Sequence, residues 1–100
     1  MYPVNLPSGI GLEAAGKIIE VGSDVKDLSI GDDVAYAGGI PSAYAEERIL
    51  PAQLGVKIPD GISHKVAACI MTKGLTTHYL LCKTYKLNSN DTVLFHAAAG

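Results

Sequence analysis

The chain reads as β structure that gives way to α/β near its last third, and three observations carry that reading. Short β-prone runs recur over the first sixty residues, each broken by Gly, Asp or Pro. After Pro59-Asp60-Gly61 the apolar residues change to helical spacing. Finally, Thr92-Val93-Leu94-Phe95 is a nearly continuous apolar run that leads through His96, Ala97, Ala98 and Ala99 to Gly100. That is the composition of a doubly covered parallel strand opening a glycine-rich loop.

Taken in order, residues 16–21 are the first strand candidate, closed by Gly22-Ser23-Asp24. Residues 33–36 follow the turn at Gly31-Asp32, and residues 42–50 and 55–58 continue the pattern. Pro41, Pro51 and Pro59 stand at the boundaries, where a missing N–H does no damage. Together these predict a small barrel or sandwich. Ser63 is the expected N-cap of a helix whose stripe is Val66, Ala67, Ile70 and Met71. A second helix is expected over about 75–85, with Leu75, Tyr79 and Leu80 on one face and Lys83 and Lys86 at its C-terminal end. Residues 86–91 make a polar turn before the last strand. An all-β part followed by helix, strand and loop argues for two domains, 1–70 and 71–100. Met1 stands directly before the loop-like stretch 2–9, and Gly100 falls where a phosphate loop would begin, so the chain reads as an internal segment of a longer protein.

Composition narrows the function. With 48% hydrophobic and 18% charged residues, the 100-residue chain is no disordered tail. Its 8 basic and 10 acidic residues contain no Lys/Arg run, which argues against nucleic acid as partner. No apolar stretch approaches the roughly 20 residues a membrane span needs. The N-terminus has neither a basic nor an apolar leader region, so the cytoplasm is the expected compartment. Cys69 and Cys82 lack metal-ligand spacing and read as buried thiols without chemistry.

Four blocks of residues resemble one family. Gly9-Ile10-Gly11-Leu12-Glu13-Ala14-Ala15-Gly16, with Val21-Gly22 and Ile30-Gly31-Asp32-Asp33-Val34, resembles the catalytic-domain signature of the medium-chain dehydrogenase/reductase superfamily. Lys73-Gly74-Leu75-Thr76-Thr77-His78-Tyr79-Leu80-Leu81 and Val93-Leu94-Phe95-His96-Ala97-Ala98-Ala99-Gly100 resemble its zeta-crystallin-like branch, the zinc-independent quinone oxidoreductases. The resemblance implies a partial GroES-like β-barrel catalytic domain over residues 1 to about 70, followed by the first helix and strand of a Rossmann domain. It implies NADPH as cofactor, a quinone or activated enone as the small-molecule partner, and a homodimeric full-length form. The alternative is a catalytically inactive truncated product, or a GroES-like module used for interaction.

The zinc-dependent alcohol dehydrogenases of the superfamily carry a histidine ligand where this chain has Leu12. Leucine has no donor atom, and the four clustered cysteines of a structural zinc lobe are absent. Without a metal to polarise a carbonyl, hydride transfer needs an electron-poor acceptor that takes up charge by its own conjugation.

The resemblance assigns cofactor contacts to Thr76, Tyr79, Ala99 and Gly100, and a place near the substrate cleft to Tyr2. Thr76 and Tyr79, three residues apart, share a helical face. The plainer reading is that Thr76 bonds back to the helix and Tyr79 packs in the core. Gly100 and Ala99 would let backbone N–H groups approach a pyrophosphate. Glu13, set among Gly and Ala, is expected to serve structural hydrogen bonding rather than proton transfer. Tyr36 and Tyr44 are expected to pack across strands, His64 and His78 to lie at the surface or pack, and His96 to be a hydrogen-bonded core histidine. No catalytic acid or base emerges.

Overall fold

The structure, a computed structural model, describes residues 3–98. Its centre is a three-stranded antiparallel sheet of order β1-β2-β3: β1 is Glu13–Lys17, β2 Asp33–Ala37 and β3 Val56–Lys57. β1 and β2 pair in the register Glu13↔Ala37, Ala15↔Ala35 and Lys17↔Asp33, and β2 pairs with β3 through Val34↔Lys57.

The first strand therefore lies three residues earlier than its β-branched run suggests. Ile18 and the residues after it leave the ladder because β2 begins at Asp33. Two backbone bonds close the pairing there, Ile18 N–H to the Asp32 carbonyl at 2.9 Å and Gly31 N–H to that of Ile18 at 2.8 Å. Partner position outweighs local propensity. Residues 42–50, expected as a strand, form bends. Their start follows residues 9–11 instead, with Ser42 N–H on the Gly11 carbonyl at 3.0 Å and Tyr44 N–H on that of Ile10 at 3.1 Å. Gly11 adopts φ 83°, and a Cβ on it would lie 2.8 Å from the Ala43 Cβ, so only glycine permits this approach. The sheet does not close into a barrel among the described residues.

Helix α1 spans His64–His78 and begins as read: the Ser63 hydroxyl accepts the Val66 N–H at 3.3 Å. It packs against β1 and β2. Its sheet-facing stripe is Ala67, Ala68, Met71 and Gly74, while Val66 and Ile70 of the expected stripe are more than half exposed. The stripe is rotated because the sheet offers a face of small residues, which admits Ala more closely than branched side chains.

Side chains alternate along a strand, so Glu13, Ala15 and Lys17 share one face with Ala37, Ala35 and Asp33. That face meets α1 at two points: His64 Nε2 lies 2.9 Å from Asp33 Oδ1, and the Thr72 N–H donates to Glu13 Oε2 at 2.8 Å. The eight-residue interval between the two helix anchors rises about 12 Å, and the four-residue interval across the strands spans about 13 Å. Helix and sheet are thus pinned at matching intervals. The buried apolar residues divide between the two faces: Ala35 and Ala67 meet between the anchors, while Val34 and Tyr36 belong to the other side of the sheet.

Beyond α1 the expected second helix is a continuation. Residues Tyr79–Thr84 widen into a π-helix without a break, Tyr85 N–H reaching the Leu80 carbonyl at 3.0 Å. The polar turn forms as expected: Asn88 N–H donates to Asp91 Oδ2 at 2.7 Å and Asp91 N–H to the Asn88 carbonyl at 3.1 Å. Residues 92–96 form no strand, and Val93, Leu94 and Phe95 are 52%, 80% and 70% exposed. A parallel strand exists only as part of a ladder, and no described residue pairs with this run.

Candidate cofactor-facing site

Thr76 and Tyr79 stand one turn apart at the junction of α1 and the π-helix. The Thr76 hydroxyl donates to the Thr72 carbonyl at 2.8 Å, and Thr77 repeats the pattern with Lys73 at 2.9 Å. Two successive back-bonds of this kind loosen and bend a helix. The Tyr79 N–H then divides between the Leu75 and Thr76 carbonyls, where the helix starts to widen. Tyr79 is 60% exposed, so it does not pack in a core.

Both side chains keep groups free for a further contact. The Thr76 oxygen gives its proton to Thr72 and keeps its lone pairs, so it can accept from a carboxamide N–H. The exposed Tyr79 ring offers a flat apolar surface and a phenol. Tyr2, Ala99 and Gly100, the other assigned contacts, lie outside the described residues.

Glu13 does what its setting predicts, accepting a hydrogen bond in a structural role. The Thr72 amide and the nearby Lys73 charge hold its carboxyl below the usual carboxylate range. Leu12 is exposed beside it. Among the described residues no group of three or more His, Cys, Asp or Glu side chains converges as a metal site, and no helix is long and apolar enough to cross a membrane.

The opposite face of the sheet carries Ala14, Gly16, Val34 and Tyr36, which line an open hollow bordered by Arg48 and Leu50. Tyr36 is buried, as a packing residue should be, whereas Tyr44 is 81% exposed because its segment forms no strand. The Arg48 guanidinium carbon sits 4.7 Å from the Tyr36 ring centre, and its Nη1 donates to the Tyr36 hydroxyl at 2.7 Å. Nothing in the sequence pairs Arg48 with Tyr36, which lies twelve positions earlier across mostly irregular chain.

A second polar cluster forms where the strands end. Lys17 Nζ lies 2.7 Å from Asp33 Oδ1, and Lys57 Nζ 2.8 Å from Asp32 Oδ2. The Lys57 side chain and the Ser29 amide lower the Asp32 pKa; Lys17 and His64 lower that of Asp33. His64 is therefore an anchor, a role its sequence position did not suggest, and His78 is exposed. His96 is exposed too, since the strand that would bury it is absent. Cys69, on α1, and Cys82, on the π-helix, are exposed free thiols, contrary to expectation.

The short antiparallel sheet with its glycine-set turns is a fragment of a GroES-like domain. Residues 1–60 match the alcohol dehydrogenase GroES-like domain, and the chain belongs to that family. Its relatives are more particular. A quinone oxidoreductase of Pseudomonas aeruginosa is 52% identical over 101 residues, covering 100% of this chain and 31% of that protein. A crystal structure of Pseudomonas syringae quinone oxidoreductase matches with a TM-score of 0.92 at 47% identity, covering 99% of this chain and 31% of that one. The Escherichia coli quinone oxidoreductase complexed with NADPH matches with a TM-score of 0.81 at 44% identity, covering 87% of this chain and 27% of that one. The resemblance read from the glycine blocks is thus borne out, and the chain spans about a third of the length of these relatives.

Proposed function

We propose that this chain is the GroES-like wall and linking helix of a cytoplasmic NADPH:quinone oxidoreductase, homodimeric in its full-length form, that reduces quinones or activated enones without zinc. The observation that carries this is the match of 99% of the chain to one quinone oxidoreductase structure, supported by the match of 87% of it to another solved with NADPH. Residues 1–70 form the catalytic-domain part and residues 71–100 open the Rossmann part. The boundary falls within α1, so the two parts are joined by a helix rather than a loose linker.

When bound, NADPH supplies a hydride to an acceptor whose conjugation absorbs the charge. The chain's own residues orient and enclose. Thr76 offers an acceptor for the carboxamide, Tyr79 covers the ring, and Ala99 with Gly100 leave room for pyrophosphate oxygens at backbone N–H groups. Leu12 places an apolar side chain where a metal-using relative would need a donor, which supports the zinc-free reading.

The test is NADPH oxidation by the complete gene product with p-benzoquinone, with and without a metal chelator. Quinone-dependent oxidation indifferent to the chelator is the expected result. Chelator-sensitive oxidation of simple alcohols, with no quinone reduction, would overturn the proposal.

A further inference from the structure

An amide in the middle of a helix ordinarily points at the carbonyl four residues back. Thr72 is the ninth residue of this unbroken helix, and its N–H in addition meets Glu13 Oε2, 2.8 Å away on a strand 59 positions earlier in the chain. That contact begins a series. The Thr72 carbonyl receives the Thr76 hydroxyl at 2.8 Å, and the Thr76 carbonyl receives the Tyr79 N–H. Glu13 itself is held by β1, which pairs with β2 along its whole length and continues in the Gly38 N–H bond to the Leu12 carbonyl at 2.8 Å.

We infer that Glu13 is a positioning residue: it fixes the turn of α1 that presents Thr76 and Tyr79 to the cofactor, so the sheet sets the geometry of the nicotinamide contact. This rests on the cofactor reading above. Glu13 acts through Thr72 and touches neither cofactor nor acceptor. Its useful property is a fixed acceptor of the right reach. Glutamine keeps an acceptor at that distance, aspartate falls one methylene short, and alanine removes it.

The experiment uses the complete gene product and reads NADPH affinity by fluorescence, quinone KM, melting temperature, and hydrogen exchange at the Thr72 amide. Glu13→Ala should weaken NADPH binding roughly tenfold, the scale of one lost hydrogen bond to a charged group. It should also deprotect the Thr72 amide while leaving the quinone KM in place. Glu13→Gln should restore both binding and amide protection to near wild type, which a role for the charge or for proton transfer would not allow. If Glu13→Ala does not fold, Glu13→Asp against Glu13→Gln makes the same comparison, with aspartate expected to lose binding. NADPH affinity indifferent to these substitutions, or a glutamine variant as impaired as alanine, overturns the inference. A wild-type protein that binds no NADPH overturns the cofactor reading beneath it and is told apart at once.

Discussion

The sheet with α1 and the stretch from Tyr79 to Ala98 are built from similarly apolar sequence, yet they end in different states. The first is tied across long sequence distances, by five residue pairs between β1 and β2 and by the anchors Asp33–His64 and Glu13–Thr72. The hydrogen bonds of the second run between near neighbours, as in the turn from Tyr85 to Asp91, and its apolar side chains stay exposed. Local turn chemistry needs only adjacent residues, whereas a strand needs a partner. What forms in this chain is what finds its partner within it.

The sharpest way to break that contrast is Leu94→Ala in the complete gene product. If the 92–96 run is a covered strand of the nucleotide-binding half, as proposed, the loss of buried methyl groups costs about 2–5 kcal/mol in denaturant unfolding. An unchanged midpoint would mean that the run stays as exposed as it is here. On the other side of the comparison, Ala35 is 3% exposed and lies between the two anchors under α1. Ala35→Leu has no room there and should cost about 1–3 kcal/mol by overpacking, with a smaller effect expected for the same change at the exposed Ala45.

Gly11→Ala tests the loop pairing that stands in for the expected strand at residues 42–50. The left-handed φ alone costs about 1–2 kcal/mol for a residue with a Cβ, and the Ala43 contact adds to it. A melt that shifts by less than a degree would show that this pairing holds little together.

The smallest effect expected is on pH. Glu13, Asp32 and Asp33 have pKa values held below their ordinary 4.5, 3.8 and 3.8 by hydrogen bonds and neighbouring cations. Depressed carboxyls stabilise the fold above their unfolded values, and this contribution is lost as pH falls through the folded ones. Melting temperature should therefore decline below about pH 4.5, and Asp33→Asn should flatten part of that decline. An identical acid limb in the variant would show that the anchor is not stabilising.

Much of this was legible in the sequence. The 33–36 and 55–58 runs, the Ser63 cap, the 86–91 turn and the hydrogen bonding of Glu13 follow from local chemistry, and the glycine blocks carried the family. The misses share a cause. Glu13-Ala14-Ala15-Gly16-Lys17 is a poor strand by propensity and becomes one because β2 lies opposite. Tyr44 and the two cysteines were expected to be covered, and cover depends on groups distant in sequence. Arg48 on Tyr36 and His64 on Asp33 leave no periodic trace at all.

The equal spacing of the two helix anchors has an evolutionary consequence. One residue inserted between His64 and Thr72 would turn everything after it by about 100° and carry the Thr72 amide away from Glu13. This interval can therefore drift in spelling but not in length, like a ruler whose markings fade while its graduations stay put.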